Sequence, residues 1–185
     1  KSVDDIIREI RKLLEDHKRR VDELLERLKK LLEDHRRTVD KLIKDLERLL
    51  EELARRVKRE GPTERVRKLV KEAEDRMREL TKRLEEHSKK LKDDLRRILE
   101  DLRKHSDDLR RRLEKLLREV EEEGVPREAL ERIREEVRRV EEASERTLRE
   151  LEKVVRRIER ESEKLKRELE KVVEDAKRTL EKLIE

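Results

Sequence analysis

Apolar residues return along the chain in strict register. From Val3 the blocks VDDIIREIRKLLEDHKRR, VDELLERLKKLLEDHRRT and VDKLIKDLERLLEELARR follow one another and align without a gap, so the first third of the chain repeats every 18 residues. Blocks of the same length begin at Val66, Leu84 and Leu102, and again at Ala129, Thr147 and Leu165. Within the blocks the apolar positions stand three or four residues apart, the spacing of one helix face. Eighteen residues make five turns at about 3.6 residues per turn, so the apolar stripe runs straight along the helix and does not drift as a heptad stripe does. The pattern predicts long, nearly straight helices.

Helix-breaking residues occur in two places, Gly61-Pro62-Thr63 and Gly124-Val125-Pro126. A glycine can take the left-handed conformation that ends a helix, and a following proline suits the first turn of the next. Helices are therefore expected at about 2–60, 63–123 and 126–184, with turns at 61–62 and 124–125. Ser2, with Asp5 three residues on, reads as a capping box opening the first. At about 1.5 Å per residue each helix is roughly 90 Å long, and short turns between long helices make antiparallel neighbours. The expected fold is all-α: a single domain, 1–185, forming an antiparallel up-down-up three-helix bundle.

The width of the stripe limits how many neighbours each helix has. At about 100° per residue, Val21, Leu24, Leu25, Leu28, Leu31, Leu32 and His35 fall within an arc of about 120°. That suits a helix touching two others around one core, and no second stripe is left to drive assembly. A monomer that requires no partner is the expectation. A groove accepting a fourth helix has a similar arc, so a homo-oligomer or a helix partner stands as the alternative.

Composition removes most other functions. Of the residues, 59% are charged and 31% hydrophobic, with no Phe, Tyr, Trp or Cys and one Met. Thiol chemistry, disulfide scaffolds and Cys-ligated metals are excluded. No apolar run exceeds two residues, whereas a transmembrane helix needs about 18, so neither a membrane segment nor a signal peptide is expected, and the expectation is a soluble protein with no natural compartment. The net charge of +5 is spread along the chain, at +3 for residues 1–60, +2 for 61–124 and 0 for 125–185. The basic run Arg110 to Arg112 lies among Asp107, Asp108 and Glu114. Nucleic-acid binding calls for clustered basic residues and usually aromatic platforms, so no nucleic-acid partner is expected. The regular apolar period argues against disorder, which so polar a composition would otherwise suggest.

Six polar residues occupy positions where the repeat calls for core: His17, His35, His87, His105, Ser144 and Ser162. The turn positions place them in space. If the first turn centres on Gly61, residues at one height on the first two helices sum to 122, as do 17 with 105, 35 with 87 and 53 with 69. A second turn between Gly124 and Val125 demands 249, as given by 105 with 144, 87 with 162 and 69 with 180. Three layers follow: His17/His105/Ser144, His35/His87/Ser162 and Leu53/Leu69/Leu180. The two polar layers are expected five turns apart, about 27 Å. Ser106 and Thr147 are expected to extend the first network, and Ser88 and Thr38 the second. A neutral imidazole offers one donor and one acceptor and a hydroxyl one donor and two acceptors, so such layers can close their hydrogen bonds, as a buried polar layer must.

With gapless repeats, matched helices, a Glu/Lys/Arg surface and repeated His and Ser layers, the chain resembles de novo designed helical bundles with buried histidine-containing hydrogen-bond networks, some intended to respond to pH. The resemblance covers the whole chain and implies a structural scaffold without natural substrate, cofactor or enzymatic activity. The polar layers then specify helix register, because sliding a helix would bury His or Ser against Leu without a partner. They also predict pH sensitivity, since burial disfavours the imidazolium; lowered stability or partial opening is expected near pH 4–5. A pH-responsive oligomer or filament subunit and a partner-helix-binding module remain the alternatives. A histidine metal site ranks below them, because each layer offers two imidazoles and a hydroxyl where zinc takes three or four protein ligands. A nucleophile would also need an oriented base, an oxyanion hole and a cleft.

Overall fold

The computed structural model describes residues 2–185. The chain forms three helices, α1 (Val3–Glu60), α2 (Glu64–Glu122) and α3 (Arg127–Leu183), and no strand occurs among the described residues. The fold is an antiparallel three-helix bundle.

Local chemistry sets the helix ends. Ser2 Oγ accepts the Asp5 N–H at 3.2 Å, while the Asp5 carboxylate lies 3.6 Å from Arg8. Gly61 and Gly124 have φ of +75° and +69°, the left-handed region that costs a residue with a Cβ most. At the end of α1 the Gly61 N–H closes onto the Val57 carbonyl at 2.9 Å, satisfying one carbonyl that the helix end leaves over. Thr63 opens α2, its Oγ1 accepting the Val66 N–H at 3.3 Å, as an N-cap does. Pro126 precedes α3, and its carbonyl accepts the Leu130 N–H at 3.0 Å. A proline there loses nothing, since the first helical N–H groups have no intrahelical partner.

The described chain divides into two compact units, each taking one stretch of every helix. One comprises the residues up to Lys29 with Asp94–Arg156. Its aliphatic core joins Ile6 and Ile10 of α1, Leu109 and Leu113 of α2, and Ile133 and Val137 of α3. The other comprises Lys30–Asp93 with Arg157–Glu185. Its core joins Val39, Leu46 and Leu53 of α1, Val66, Met77 and Leu84 of α2, and Leu169, Val173 and Leu180 of α3. Leu69 packs against this cluster while only partly buried. No large hydrophobic side chain is exposed among the described residues, and burying one Leu or Ile contributes about 1.5–3 kcal/mol.

Two substitutions separate these contributions. Leu113→Ala, at a fully buried position, is expected to cost about 2–5 kcal/mol. Thr63→Ala, which removes only the cap, is expected to cost about 0.5–2 kcal/mol. Denaturant midpoints with unchanged slopes are the measurement.

Candidate functional site: the two histidine layers

The unit formed by Lys30–Asp93 and Arg157–Glu185 carries a continuous hydrogen-bond chain through all three helices. Ser162 Oγ of α3 lies 3.1 Å from His35 Nε2 of α1. His35 Nδ1 is 2.9 Å from His87 Nδ1 of α2, the rings stacking with centroids 5.1 Å apart. His87 Nε2 is 3.3 Å from Thr38 Oγ1, and Thr38 in turn donates to the Asp34 carbonyl at 2.9 Å.

That last bond sets the direction of all the others. A backbone carbonyl only accepts, so the Thr38 hydroxyl proton is committed to Asp34 and Thr38 Oγ1 must accept from His87 Nε2. Neutral His87 then has a bare Nδ1, which accepts the proton on His35 Nδ1. His35 Nε2 is left as an acceptor, and Ser162 donates to it. Each imidazole thus has one defined tautomer, and every donor from Ser162 to Thr38 has an acceptor.

The other unit holds the second layer in looser form. Ser144 Oγ lies 3.3 Å from His17 Nε2, but the His17 and His105 rings are tilted by 49° with centroids 5.9 Å apart. His17 Nδ1 is buried without a hydrogen-bond partner. Beside it is a cavity of about 30 Å³, lined by both histidines and by Asp16, Asp108 and Arg112 together with Leu13 and Leu109. The sequence contains the reason for the difference. One repeat before Thr38 stands Arg20, which pairs with Asp101 of α2 and with Glu23 instead of accepting from His105.

Several expected members are arranged differently. Thr147 Oγ1 turns back to the Ala143 carbonyl at 2.8 Å, a local bond always within reach of a helical threonine. Ser88 Oγ and Ser106 Oγ are buried without partners. His17 and His35 are fully buried, whereas His87 and His105 are half-buried. The inward seam of α2 runs through Leu84, Ser88, Leu91 and Leu95 and through Leu102, Ser106, Leu109 and Leu113 at spacings of three and four. The α2 histidines flank that seam and meet residues of α1, and Leu69, at the same repeat position, is likewise only partly buried.

Burial, followed by the charge of His105, holds the His17 imidazole below the usual histidine range. Burial, followed by His87, does the same for His35, with Glu161 of α3 opposing; Glu161 also pairs with Arg36. His17 and His35 therefore both resist protonation, and for the same leading cause, burial. In the tight layer a first proton on His35 Nε2 requires only that Ser162 turn from donor to acceptor, and it makes the Nδ1–H···Nδ1 bond charge-assisted and stronger. A second proton, on His87 Nδ1, would set two N–H groups against each other.

No family model matches the chain, and no curated protein matches it. Among solved structures it is similar to a computationally designed three-helix bundle, with a TM-score of 0.69 at 19% sequence identity, over 98% of this chain and 87% of that one. The two share a fold. Among the described residues no group of three or more His, Cys, Asp or Glu side chains is placed to hold a metal ion, and no helix is long and apolar enough to cross a membrane.

The two threonines near the layers are expected to respond differently to loss of the hydroxyl. Thr38→Val leaves the His87 Nε2–H without its acceptor and is expected to cost about 1–3 kcal/mol. Thr147→Val loses only a bond to its own helix and should stay within about 0.5 kcal/mol. Paired denaturant melts of the two variants measure the difference.

Proposed function

We propose that the chain is a designed, non-enzymatic scaffold in which the two His/Ser layers specify helix register and make stability depend on pH. The observation that carries this reading is the Ser162–His35–His87–Thr38 chain, in which each side-chain donor has an acceptor on a different helix or on the backbone. Sliding any helix by a turn would break those bonds and leave polar atoms buried against leucine, at about 1–3 kcal/mol for each unsatisfied group. An ordinary aliphatic core offers no such penalty, because one leucine layer accepts another almost equally well. Similarity in fold to a designed bundle supports the scaffold reading.

The pH dependence has a defined sign. Folding lowers the affinity of His17 and His35 for a proton, so the unfolded chain binds protons first as pH falls below about 6.5. Stability from these groups is complete above that value and is lost as pH falls toward their folded-state values. The opposing charge of Glu161 beside His35 limits the loss there. The absence of exposed large apolar side chains among the described residues supports a monomer with no obligatory partner.

Denaturant melts at pH 7.5 and 4.5, run with light scattering, test this reading. The expected result is a lower midpoint at pH 4.5 with an unchanged monomer mass. In a variant whose six layer residues are replaced by leucine, the midpoint at pH 7.5 should be equal or higher and the pH dependence smaller. Equal midpoints for the parent chain at both pH values would refute the pH sensitivity, and a change of mass with pH would favour a switchable oligomer.

A further inference from the structure

We propose that the cleft between α2 and α3 beside His17 is a binding site for a small organic ammonium ion, a primary amine carrying a short apolar body. The cleft has a volume of about 240 Å³ and lies within the unit formed by the residues up to Lys29 and Asp94–Arg156. It exists because serine stands where the same repeat position elsewhere carries a larger residue: Ser144 aligns with Leu180, and Ser106 with Val70. The space those side chains would fill is left open above an aliphatic floor of Leu109, Leu113 and Leu148.

The polar groups of the cleft, which also include the paired Asp107 and Arg110, have acceptor capacity left over. Ser106 Oγ is enclosed without a partner, and Ser144 Oγ makes one bond, to His17 Nε2, of the three a hydroxyl can make. Glu141 lines the same cleft with Glu145. Burial and the neighbouring charge of Glu114 raise the Glu141 carboxyl above its ordinary range, with Glu145 adding to the effect. The cation acting against this shift is Arg110, and Arg110 is already paired with Asp107 at 3.1 Å. Two serines, one with an unpartnered hydroxyl just beneath the surface, and an under-compensated carboxylate thus line one small cleft with an apolar floor.

An alkylammonium ion matches each of these features. Its three N–H donors suit three oxygen acceptors, its charge offsets that of Glu141, and its hydrocarbon body covers the leucines. An anion would meet Glu141 and Glu145, and a neutral molecule of the same shape would forgo the charge-assisted bond, which is about twice as strong as a neutral one. A divalent metal would need several oxygen ligands converging on one point, and no group of three or more acidic or histidine side chains is so placed among the described residues.

Titration of the intact chain at pH 7.5 with benzylammonium, followed by amide chemical shifts, tests the proposal, with benzyl alcohol and benzoate as matched neutral and anionic probes. The expected result is saturable shifts confined to residues around Ser106, Glu141 and Ser144, with benzyl alcohol at least about tenfold weaker and benzoate without effect. Glu141→Gln should weaken benzylammonium about tenfold or more, and Ser106→Leu, which removes no existing hydrogen bond, should abolish binding by filling the cleft. Glu181→Gln, a surface change in the other unit, should leave it unaltered. Equal affinity for benzyl alcohol, an undiminished response in Glu141→Gln, or shifts spread over surface carboxylates generally would overturn the proposal. Circular dichroism on each variant confirms that the helices are intact, so loss of binding is not loss of fold.

Discussion

An imidazole taken out of water needs a partner for each of its ring nitrogens, and a core built from aliphatic side chains supplies none. This constraint governs the polar layers. Where it is met fully, at His35 and His87, the rings come into direct contact and the bonds run in one direction from Ser162 to the Asp34 carbonyl. Where it is met in part, at His17 and His105, the rings stand apart, one nitrogen is unpartnered and a small cavity opens beside them. The difference between a closed and an open layer traces to one repeat position, occupied by Thr38 in one block and by Arg20 in the preceding block.

The rest of the bundle gives these layers their setting. Without aromatic residues, the core depends on Leu, Ile and Val in a narrow stripe, and the 18-residue period keeps that stripe on one side of each helix. Aliphatic layers contribute most of the stabilising burial but discriminate weakly between registers. On the proposed reading, polar layers contribute little net stability and discriminate strongly, because their bonds exist in one alignment only. Stability and specificity then come from different residues in the same three helices.

Much of the architecture was legible in the sequence because it follows from short-range rules. Two Gly/Pro interruptions and an unbroken apolar period lead directly to three helices and to the bundle. The numerical matching of His17 with His105 and of His35 with His87 follows from the turn positions alone. What was not legible depends on side-chain torsions and on the few degrees by which a residue departs from the centre of its stripe. Thr147 and Thr38 are alike in sequence, yet one hydroxyl reaches an imidazole and the other serves only its own helix. The α2 histidines occupy the same repeat position as Leu69, itself at the edge of the core, and the seam passes instead through Ser88 and Ser106. Backbone acceptors such as the Asp34 carbonyl leave no mark on a sequence, although this one determines every proton in the chain.

The tautomers of His35 and His87 report most directly on the directed chain of hydrogen bonds. Long-range nitrogen–proton correlation spectra of the imidazole rings at pH 7.5 should show the His35 proton on Nδ1 and the His87 proton on Nε2. The reverse assignment, or rapid exchange of both rings between tautomers, would mean that the bonds do not run in one direction from Ser162 to the Asp34 carbonyl.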